Sequence, residues 1–346
     1  MSFVEPVALS TLTTMQVGGT PKSLVRCGTP EELYEAAKTA WLSEEKHHIL
    51  AGGSNTVFAD DMSDWNIVLV ANTGIEITEE TDETVTLRVQ AGESWDGFVQ
   101  WCVERGYAGI EAMSGIPGSV GATPVQNVGA YGQEVSQVIT QGEFLDATSH
   151  EVSSKPAEFF EFSYRDSALK RGLKGVIGWV EFKLYKLGGL SVPMASGQIT
   201  NHVGAEYGSQ LPLQQVRDTV IELRSSKGMV ISESDPNSRS CGSFFTNPVV
   251  SSIKALEFPD EMQKWKMDDG ESVKLSAGWL IENAGIPKGY SIPGSKAAIS
   301  QKHALAITNT GGASSAEIVE LARFIQERVS ARWGMNLLPE PNLIGF

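Results

Sequence analysis

Residues 50–56, LAGGSNT, carry a short predicted strand into a glycine pair that is followed by two polar side chains. Backbone N–H groups in such a loop can converge on an anion, and the side chains of Ser54 and Asn55 add further donors. The loop lacks both the Gly-x-Gly-x-x-Gly spacing and the Walker lysine, so neither nucleotide-binding fingerprint applies. Taken alone, this loop favours a plain turn.

A second glycine-rich segment changes that interpretation. Residues 115–122, GIPGSVGA, are followed by residues 126–132, QNVGAYG, and the stretch contains almost no charge. Glycine lets a backbone approach a ligand closely, while serine, glutamine and asparagine offer neutral hydrogen bonds. An irregular crossover is the structural alternative. Together with the loop at 50–56, the segment favours the binding of a large ligand.

The composition excludes several classes of protein. Lysine and arginine number 27 against 42 aspartate and glutamate residues, a formal net charge of −15. This balance argues against nonspecific nucleic-acid binding but leaves an anionic small ligand possible. Cys27, Cys102 and Cys241 form neither a disulfide framework nor a metal-ligand pattern, and the five histidines lack metal-binding spacing. Because no apolar run is long enough for a membrane helix and no signal-peptide features begin the chain, we expect a reducing, cytoplasmic location.

Strands and helices mix without strict alternation, which predicts an α+β fold. Thr29, Pro30 and Glu32 predict a helix start with a capping box, and Ser314 with Glu317 predicts the start of the last long helix. Further helices are expected at residues 94–105, 212–226 and 276–284, and strands at residues 48–50, 65–70 and 85–89.

Three further segments place reactive side chains beside rigid or apolar neighbours. In FSYRDS, residues 162–167, Arg165 lies between an aromatic residue and an aspartate, although a surface ion pair is the common alternative. In SCGSFFTNP, residues 240–248, Ser243 precedes two phenylalanines, where its hydroxyl could act as a proton donor; capping a turn is the alternative. The Gly-x-Ser-x-Gly elbow is absent, which disfavours a serine hydrolase. The C-terminal LPEPN holds Glu340 between two prolines.

Taken in order, these five segments resemble those of the UDP-N-acetylenolpyruvoylglucosamine reductases, flavoenzymes of peptidoglycan precursor synthesis. The likeness covers nearly the whole chain, from TTMQVGG at residues 13–19 to residues 343–345. The GSFFTNP and YRDS motifs are specific to that family, whereas GGSN is shared with the wider vanillyl-alcohol-oxidase-like flavoproteins. The resemblance implies a two-lobed FAD-binding module of that type, followed by a C-terminal α+β substrate domain.

The resemblance also implies a reaction in two halves. NADPH reduces bound FAD and leaves, and the enolpyruvyl ether of UDP-N-acetylglucosamine then enters the same site. Flavin N5 delivers hydride to the terminal vinyl carbon, and negative charge spreads from the adjacent carbon into the carboxylate. By the same resemblance, Ser243 is the proton donor to that carbon, and Arg165 and Glu340 polarise the carboxylate. Glu340 would do so in its protonated form, which requires that burial raise its pKa.

Further positions complete the implied site. The implied cofactor-binding residues are Gly52, Gly53, Ser54, Asn55, Thr56, Gly118, Ser119, Gly121, Ala122, Gln126, Asn127, Gly129 and Ala130. The implied substrate-binding residues are Tyr164, Lys227, Asn247, Lys274 and His303. An inserted loop at residues 193–213 corresponds to one that closes over the substrate with a tyrosine, and here Ser196 or Tyr207 fills that role. Trp265 stands where another family tyrosine contacts the substrate.

Three domains are expected. Residues 1–75 form the first FAD-binding lobe, to which the tail at 331–346 returns; residues 76–214 form the second lobe, and residues 215–330 form the substrate-binding domain. We expect a monomer with no metal, nucleic-acid or membrane partner. Two alternatives are an oxygen-using flavin oxidase of the same fold and a non-catalytic nucleotide-sugar binding protein. The flavin oxidase is disfavoured because no histidine for covalent flavin attachment follows the glycine loop. The three candidate catalytic residues argue against the non-catalytic binding protein.

Overall fold

A computed structural model describes residues 2–267 and 269–346 of the chain. The strands, in chain order, are β1 Ser2–Val4, β2 Ser23–Cys27, β3 Lys46–Leu50, β4 Thr56–Phe58, β5 Trp65–Val70, β6 Ile75–Glu80, β7 Thr84–Gln90, β8 Tyr107–Ala108, β9 Gly129–Ala130, β10 Gln133–Glu134, β11 Ile139–Asp146, β12 Val152–Pro156, β13 Gly175–Lys186, β14 Val249–Ser251, β15 Lys264–Lys266, β16 Ser272–Leu275, β17 Ala297–Ile299, β18 Ile307–Asn309 and β19 Asn342–Ile344. The α-helices are α1 Pro30–Leu42, α2 Trp95–Glu104, α3 Gly197–Val203, α4 Leu213–Ser226, α5 Ser252–Ala255, α6 Ala277–Glu282 and α7 Ser315–Trp333.

The chain divides into two compact units, each drawn from separated stretches. The first contains the described residues of 1–7, 21–53 and 63–225. The second contains those of 8–20, 54–62 and 226–346. The division into three domains that the sequence suggests stays a prediction.

The first unit begins with a four-stranded sheet in the order β1-β2-β5-β3. β2, β5 and β3 are parallel, and β1 is antiparallel to β2. Helix α1 covers this sheet because Leu33 and Ala37 on its buried face pack with core residues of β2 and β5. The Thr29 hydroxyl accepts a hydrogen bond from the Glu32 N–H, as predicted, and the Glu32 carboxylate accepts from the Gly28 N–H at 2.8 Å. The start of α1 is therefore the predicted one, with Thr29 as its N-cap.

The second sheet of this unit is antiparallel, in the order β12-β11-β13-β7-β6, with β8 also pairing with β13. Helix α2 packs on it through aromatic side chains: the ring centroids of Phe98 and Phe182 lie 5.1 Å apart, and those of Trp95 and Phe182 lie 6.1 Å apart. The apolar residues of the predicted strand at 85–89 are fully buried in β7. This strand thus lies inside the sheet, with the acidic hairpin that precedes it at the edge.

The second unit contains three small sheets and a long helix. β14, β16 and β15 pair antiparallel, as do β17 and β18, whereas β4 and β19 pair parallel. Helix α7 buries Ile318, Leu321 and Ile325 in the core of this unit. Its start is the predicted one, since the Ser314 hydroxyl and the Glu317 carboxylate form a complete capping box.

Most other predicted elements are confirmed with small shifts at their ends. β5 matches the predicted strand at 65–70, and α2 and α4 match the helices expected at 94–105 and 212–226. Helix α6 ends at Glu282, two residues earlier than expected, before Gly285 takes a positive φ of 85°.

His48 on β3 makes the stability of the fold depend on pH. Burial, with a smaller contribution from neighbouring His47, lowers the pKa of His48 to about 4. In the unfolded chain the pKa of this histidine is about 6.5. The free energy of unfolding is therefore highest above that pH, and part of it is lost as the pH falls towards about 4. Relative to His48→Gln, the wild-type chain should lose about 2 kcal/mol of unfolding free energy between about pH 7.5 and about pH 5, measured by urea denaturation. Parallel pH dependences of the two proteins would contradict this prediction.

Candidate active site

The loop at the end of β3 lies against the second glycine-rich segment within the first unit. The parallel strands β2, β5 and β3 end at one edge of their sheet, which is where ligands bind in parallel sheets. A Cβ atom built on Gly52 would lie 2.6 Å from the Gly118 Cα and 2.8 Å from the Ser119 nitrogen. The two backbones therefore touch, and no side chain fits between them.

Backbone hydrogen bonds hold residues 118–121 against the end of β7. The Trp95 N–H donates to the Gly118 carbonyl at 3.1 Å, and the Gly121 N–H donates to the Ala91 carbonyl at 2.8 Å. A Cβ atom built on Gly121 would lie 2.5 Å from the Cβ of Ala91. Glycine is thus required at 121 because of this close approach.

Asp96 and Arg217 brace the start of the same segment. The Asp96 carboxylate accepts hydrogen bonds from the Gly115 N–H at 2.6 Å and from the two terminal nitrogens of Arg217 at 2.7 and 3.0 Å. Burial raises the pKa of Asp96, but the hydrogen bonds from Arg217 and Gly115 outweigh burial and leave the pKa below its usual value. The ionised pair fixes the loop by charge-assisted hydrogen bonds. No local sequence motif indicates this ion pair, because its two residues lie 121 positions apart.

The surface formed by these glycine segments fits a cofactor such as FAD. The Ser119 hydroxyl oxygen is buried and has no hydrogen-bond partner among residues 2–267 and 269–346, and the same is true of the Gln133 Nε2. Each buried polar atom without a partner calls for an explanation, such as a bound group that supplies one. The close backbone contact at Gly52 and the buried Ser119 hydroxyl together fit a large ligand that makes polar contacts with the backbone.

Asn127, an implied cofactor residue, uses its side chain within the protein. Its Nδ2 donates to the Glu134 carboxylate at 2.8 Å and to the Ser163 carbonyl at 3.0 Å, and its Oδ1 accepts from the Ser136 N–H at 3.1 Å. Its backbone is left-handed, with φ 47°. The side-chain amide of this implied cofactor residue thus shapes the loop.

Arg165 is held by the same loop. One terminal nitrogen of Arg165 donates to the Asn127 carbonyl at 3.3 Å, and the other donates to the Gly129 carbonyl. The Glu134 carboxylate lies 3.7 Å from this guanidinium, and the Tyr164 ring centroid lies 5.4 Å from it. The structure therefore joins the candidate catalytic arginine to the implied cofactor loop.

In the second unit, Asn55 is joined to the C-terminal tail. The Asn55 Nδ2 donates to the Glu340 carbonyl at 3.2 Å, and the Asn55 carbonyl accepts from the Asn342 N–H at 2.9 Å. Strands β4 and β19 continue this contact, and Thr56 in β4 is buried. The Ser54 carbonyl accepts from the Thr14 hydroxyl at 3.4 Å. Glu340 is thus anchored through its backbone beside the polar half of the first glycine loop.

Ser243 lies in the segment that pairs with this tail. The Glu340 N–H donates to the Phe244 carbonyl at 2.9 Å, and Phe245 forms an isolated β-bridge with Pro339. Phe244 and Phe245 are buried, while Ser243 and Glu340 are partly exposed. Within this unit, the structure brings the Ser243 and Glu340 segments together and sets Ser243 next to a buried aromatic pair.

Two implied substrate residues of this unit already have contacts. The Asn247 Oδ1 accepts from the Ala277 N–H at 2.9 Å, at the start of α6. The Lys274 ammonium lies 5.5 Å from the Trp265 ring centroid, across the paired strands β15 and β16. A cation beside an aromatic face is stabilised by the ring quadrupole, so Trp265 helps to place this lysine.

His303 and Lys227 complete the set in the second unit, and both are partly buried. The His303 Nδ1 lies 3.2 Å from the Leu305 N–H and accepts its hydrogen bond, which puts the proton of the neutral ring on Nε2. Tyr164, the remaining implied residue, belongs to the first unit.

The inserted loop contains two candidates for closure over the substrate, and one of them is an exposed aromatic residue. Ser196 is buried and directly precedes α3, whereas Tyr207 is 72% exposed. Closing over a substrate requires a side chain that is free to move towards it, and Tyr207 meets this requirement better than Ser196.

Glu134, which no motif indicates, lies beside two of the implied site residues. It contacts both Asn127 and Arg165, as described above. A signal was present, because Glu134 is the one charged residue in the sequence between positions 115 and 138. In the ranges 2–267 and 269–346, no group of three or more His, Cys, Asp or Glu side chains is arranged for a metal ion. Across those ranges no helix combines the length and apolar character needed to cross a bilayer.

Comparison with known proteins bears on the whole chain. A family profile described as the C-terminal domain of UDP-N-acetylenolpyruvoylglucosamine reductase matches residues 235–344, and one described as an FAD binding domain matches residues 21–154. The solved UDP-N-acetylenolpyruvylglucosamine reductase from Thermus caldophilus superposes with a TM-score of 0.66 at 24% identity, covering 99% of this chain and 100% of that one. The predicted α+β fold, with an FAD-binding module and a C-terminal domain, is confirmed.

Two relatives match over their full lengths. The UDP-N-acetylenolpyruvoylglucosamine reductase of Leifsonia xyli subsp. xyli is 42% identical, covering 99% of this chain and 100% of the relative. The enzyme of the same name from Thermobifida fusca is 40% identical, with 99% and 98% covered. The chain therefore belongs to the family of UDP-N-acetylenolpyruvoylglucosamine reductases.

Proposed function

We propose that this chain reduces the enolpyruvyl ether of UDP-N-acetylglucosamine to UDP-N-acetylmuramate, with FAD as bound cofactor and NADPH as reductant, in peptidoglycan precursor synthesis. One observation carries the proposal: relatives that bear this reductase's name match the chain from end to end at 40% identity or more. The two glycine segments at 52–53 and 118–121, called the glycine cradle below, and the segment around Ser243 have a geometry that suits the same chemistry.

The first unit would hold most of the cofactor, through backbone groups and a few neutral side chains. Supporting this, the Ser119 hydroxyl is a buried group that still needs a partner. The residues assigned to the cofactor are Gly52, Gly53, Ser54, Asn55, Thr56, Gly118, Ser119, Gly121, Ala122, Gln126, Asn127, Gly129 and Ala130. Bound FAD would take up hydride from NADPH and supply it to the vinyl carbon of the substrate.

Ser243 would supply the proton. Hydride addition leaves negative charge on the carbon next to the carboxylate, and a donor within hydrogen-bond reach must protonate that carbon. A serine hydroxyl is a weak acid, so it serves only a strongly basic carbon. Phe244 and Phe245 beside it are buried, and an apolar surrounding that excludes water strengthens electrostatic interactions with the developing charge.

Arg165 and Glu340 would stabilise the charge that spreads into the substrate carboxylate. Preorganised donors aimed at developing charge are usually the largest single contribution to such a reaction. Carbonyls of the 127–129 loop hold the Arg165 guanidinium in one orientation, and backbone hydrogen bonds to Asn55 and Phe244 hold Glu340. Both side chains therefore start from fixed anchors.

Recognition of the nucleotide sugar would use cations and neutral donors. Tyr164, Lys227, Asn247, Lys274 and His303 are the residues assigned to it. A lysine suits a diphosphate as a point charge, and the His303 Nε2–H suits it as a hydrogen-bond donor. Tyr207, exposed on the inserted loop, is assigned to closure over the substrate.

We further assign the chain to the cytoplasm as a monomer of three domains that works without nucleic-acid or membrane partners. The net charge of −15 supports the first of these exclusions, because a polyanion gains nothing from an acidic surface. The domain division rests on the three segments at 1–75 with the tail, 76–214 and 215–330.

A visible spectrum taken in three steps tests the function. Purified protein should show flavin absorbance, lose it on anaerobic addition of NADPH, and regain it when the enolpyruvyl ether is added. Recovery with oxygen and peroxide formation, but not with the enol ether, would indicate a flavin oxidase. Protein that stays colourless with added FAD would indicate a nucleotide-sugar binding protein.

A further inference from the structure

We propose that Glu134 is a positioning residue that orients the Arg165 guanidinium, and that its charge serves the half of the reaction in which the enolpyruvyl ether is reduced and not the stability of the fold. This inference rests on the proposed function, in which Arg165 polarises the substrate carboxylate. It is carried by one cluster of contacts in the first unit, formed by Glu134, Asn127, Gly129 and Arg165.

The two carboxylate oxygens of Glu134 have different neighbours. Oε2 accepts a hydrogen bond from the Asn127 Nδ2 at 2.8 Å. Oε1 lies 3.7 Å from the Arg165 Nη1, which is an ion-pair distance and longer than a hydrogen bond. Glu134 thus attracts the guanidinium without accepting a hydrogen bond from it, while the two terminal nitrogens of Arg165 each donate to a carbonyl of the 127–129 loop. Each terminal nitrogen carries a second N–H that can serve an anionic substrate group.

Asn127 transmits the position of Glu134 to the backbone. It is only 1% exposed, and besides Glu134 its side chain bonds the Ser163 carbonyl, two residues before Arg165. Its own carbonyl accepts from the Arg165 Nη1 at 3.3 Å. Loop, carboxylate and arginine therefore form one closed network, and moving Glu134 moves the carbonyl that holds the guanidinium.

Gly129 shows how closely the cluster is packed. It pairs with Glu134 across the strands β9 and β10, and its carbonyl accepts from the second terminal nitrogen of Arg165. A Cβ atom at Gly129 would lie 2.7 Å from the Glu134 Cγ and 3.1 Å from the Arg165 Nη1. Because glycine leaves this position without a side chain, the side chains of Glu134 and Arg165 can both pack against the Gly129 backbone.

The local contacts of Glu134 call for an acceptor oxygen: its side chain accepts from Asn127, and it is the N-cap of the 3-10 turn Val135–Gln137 in a capping box with Gln137. The side chains of Arg165 and Glu134 are 24% and 32% exposed, and ion pairs this accessible contribute little to folding stability. No other charged residue occurs between positions 115 and 138. A carboxylate in an otherwise neutral cofactor loop, 3.7 Å from the one arginine assigned to the substrate, suits the orientation of that arginine.

The test uses the holoenzyme and separates the two halves of the reaction by rapid mixing. In Glu134→Gln the amide oxygen can still accept from the Asn127 Nδ2, while the charge and the second acceptor oxygen, beside Arg165, are lost. Flavin reduction by NADPH should stay within about twofold of wild type, while reoxidation by the enolpyruvyl ether should slow by about 10- to 100-fold, the usual cost of misplacing a reacting group. Glu79→Gln, an exposed glutamate of the β6–β7 hairpin, is the matched control and should leave both halves unchanged.

A double-mutant cycle decides whether Glu134 acts through Arg165. If it does, Glu134→Gln has no further effect on reoxidation in an Arg165→Gln background. Equal slowing of both halves, unchanged reoxidation in Glu134→Gln, or additive effects in the double variant would each overturn the proposal. A wild-type protein whose reduced flavin is not reoxidised by the enol ether would instead overturn the proposed function, and this arm is measured first.

Discussion

Replacing Ser243 by alanine is expected to leave the reduction of FAD by NADPH intact and to lower turnover of the enolpyruvyl ether by about 10²–10³-fold, since loss of one preorganised donor typically costs this much. Ser243 is partly exposed beside buried Phe244, so truncation removes a hydroxyl without opening the core. Steady-state turnover, with stopped-flow bleaching of the flavin by NADPH, measures both quantities on one preparation.

A control on the same segment separates chemistry from loop shape. The Ser240 hydroxyl accepts from the Gly242 N–H at 3.2 Å, so Ser240→Ala loosens the turn that carries Ser243 without removing the candidate donor. Ser240→Ala should keep turnover within a few-fold of wild type. Near wild-type turnover of Ser243→Ala, or equal losses in the two variants, would remove Ser243 from the role of proton donor.

Local signals explain the elements that the sequence predicts well. The start of α7 needs only Ser314 and Glu317, three residues apart, and both partners of that capping box are formed. β5 is an apolar run whose pattern needs no distant partner to be recognised. At α1 the Thr29 hydroxyl likewise accepts from the Glu32 N–H, and the Glu32 carboxylate accepts from the Gly28 N–H. Such a cap is predictable because its partners lie three residues apart within one motif.

Long-range pairing explains much of what the sequence does not predict. β19 pairs with β4, and Asn55 bonds to Glu340 across 285 positions of sequence. No composition shift marks residues 8–20 and 54–62 as partners of 226–346. Sequence composition can indicate a linker between two domains. It cannot indicate a unit assembled from three separated stretches, because such a unit is defined by contacts made in the folded chain.

The candidate site shows the same division. Motifs identify Arg165, Ser243 and Glu340 through resemblance to a family, which needs no geometry. Sequence reasoning assigned Asn127 to the cofactor, yet its amide is spent on Glu134, Ser163 and Ser136. A side chain's type indicates what it can bond, but which of several nearby partners it takes depends on loop geometry.

The contact between Gly52 and Gly118 leads to the second large expected effect. Gly52→Ala places a Cβ atom 2.6 Å from the Gly118 Cα and 2.7 Å from its carbonyl carbon, distances that force the two backbones apart. Overpacking of this kind costs about 1–3 kcal/mol. Because the contact lies within the cradle assigned to the cofactor, we expect this cost to appear as an increase of about 5- to 150-fold in the Kd for FAD.

Gly28→Ala is the matched control for that measurement. Gly28 follows β2 at the same edge of the sheet, but a Cβ atom there would meet the Glu32 Oε2 at 3.6 Å, an ordinary contact. Titration of apoprotein with FAD, followed by flavin fluorescence, should therefore give the control a wild-type Kd and Gly52→Ala a weaker one. Equal Kd values for all three proteins would show that the two glycine segments do not form the cradle. A matching loss of FAD affinity in both variants would attribute the effect to the sheet edge in general, since of the two glycines it is Gly52 that touches Gly118.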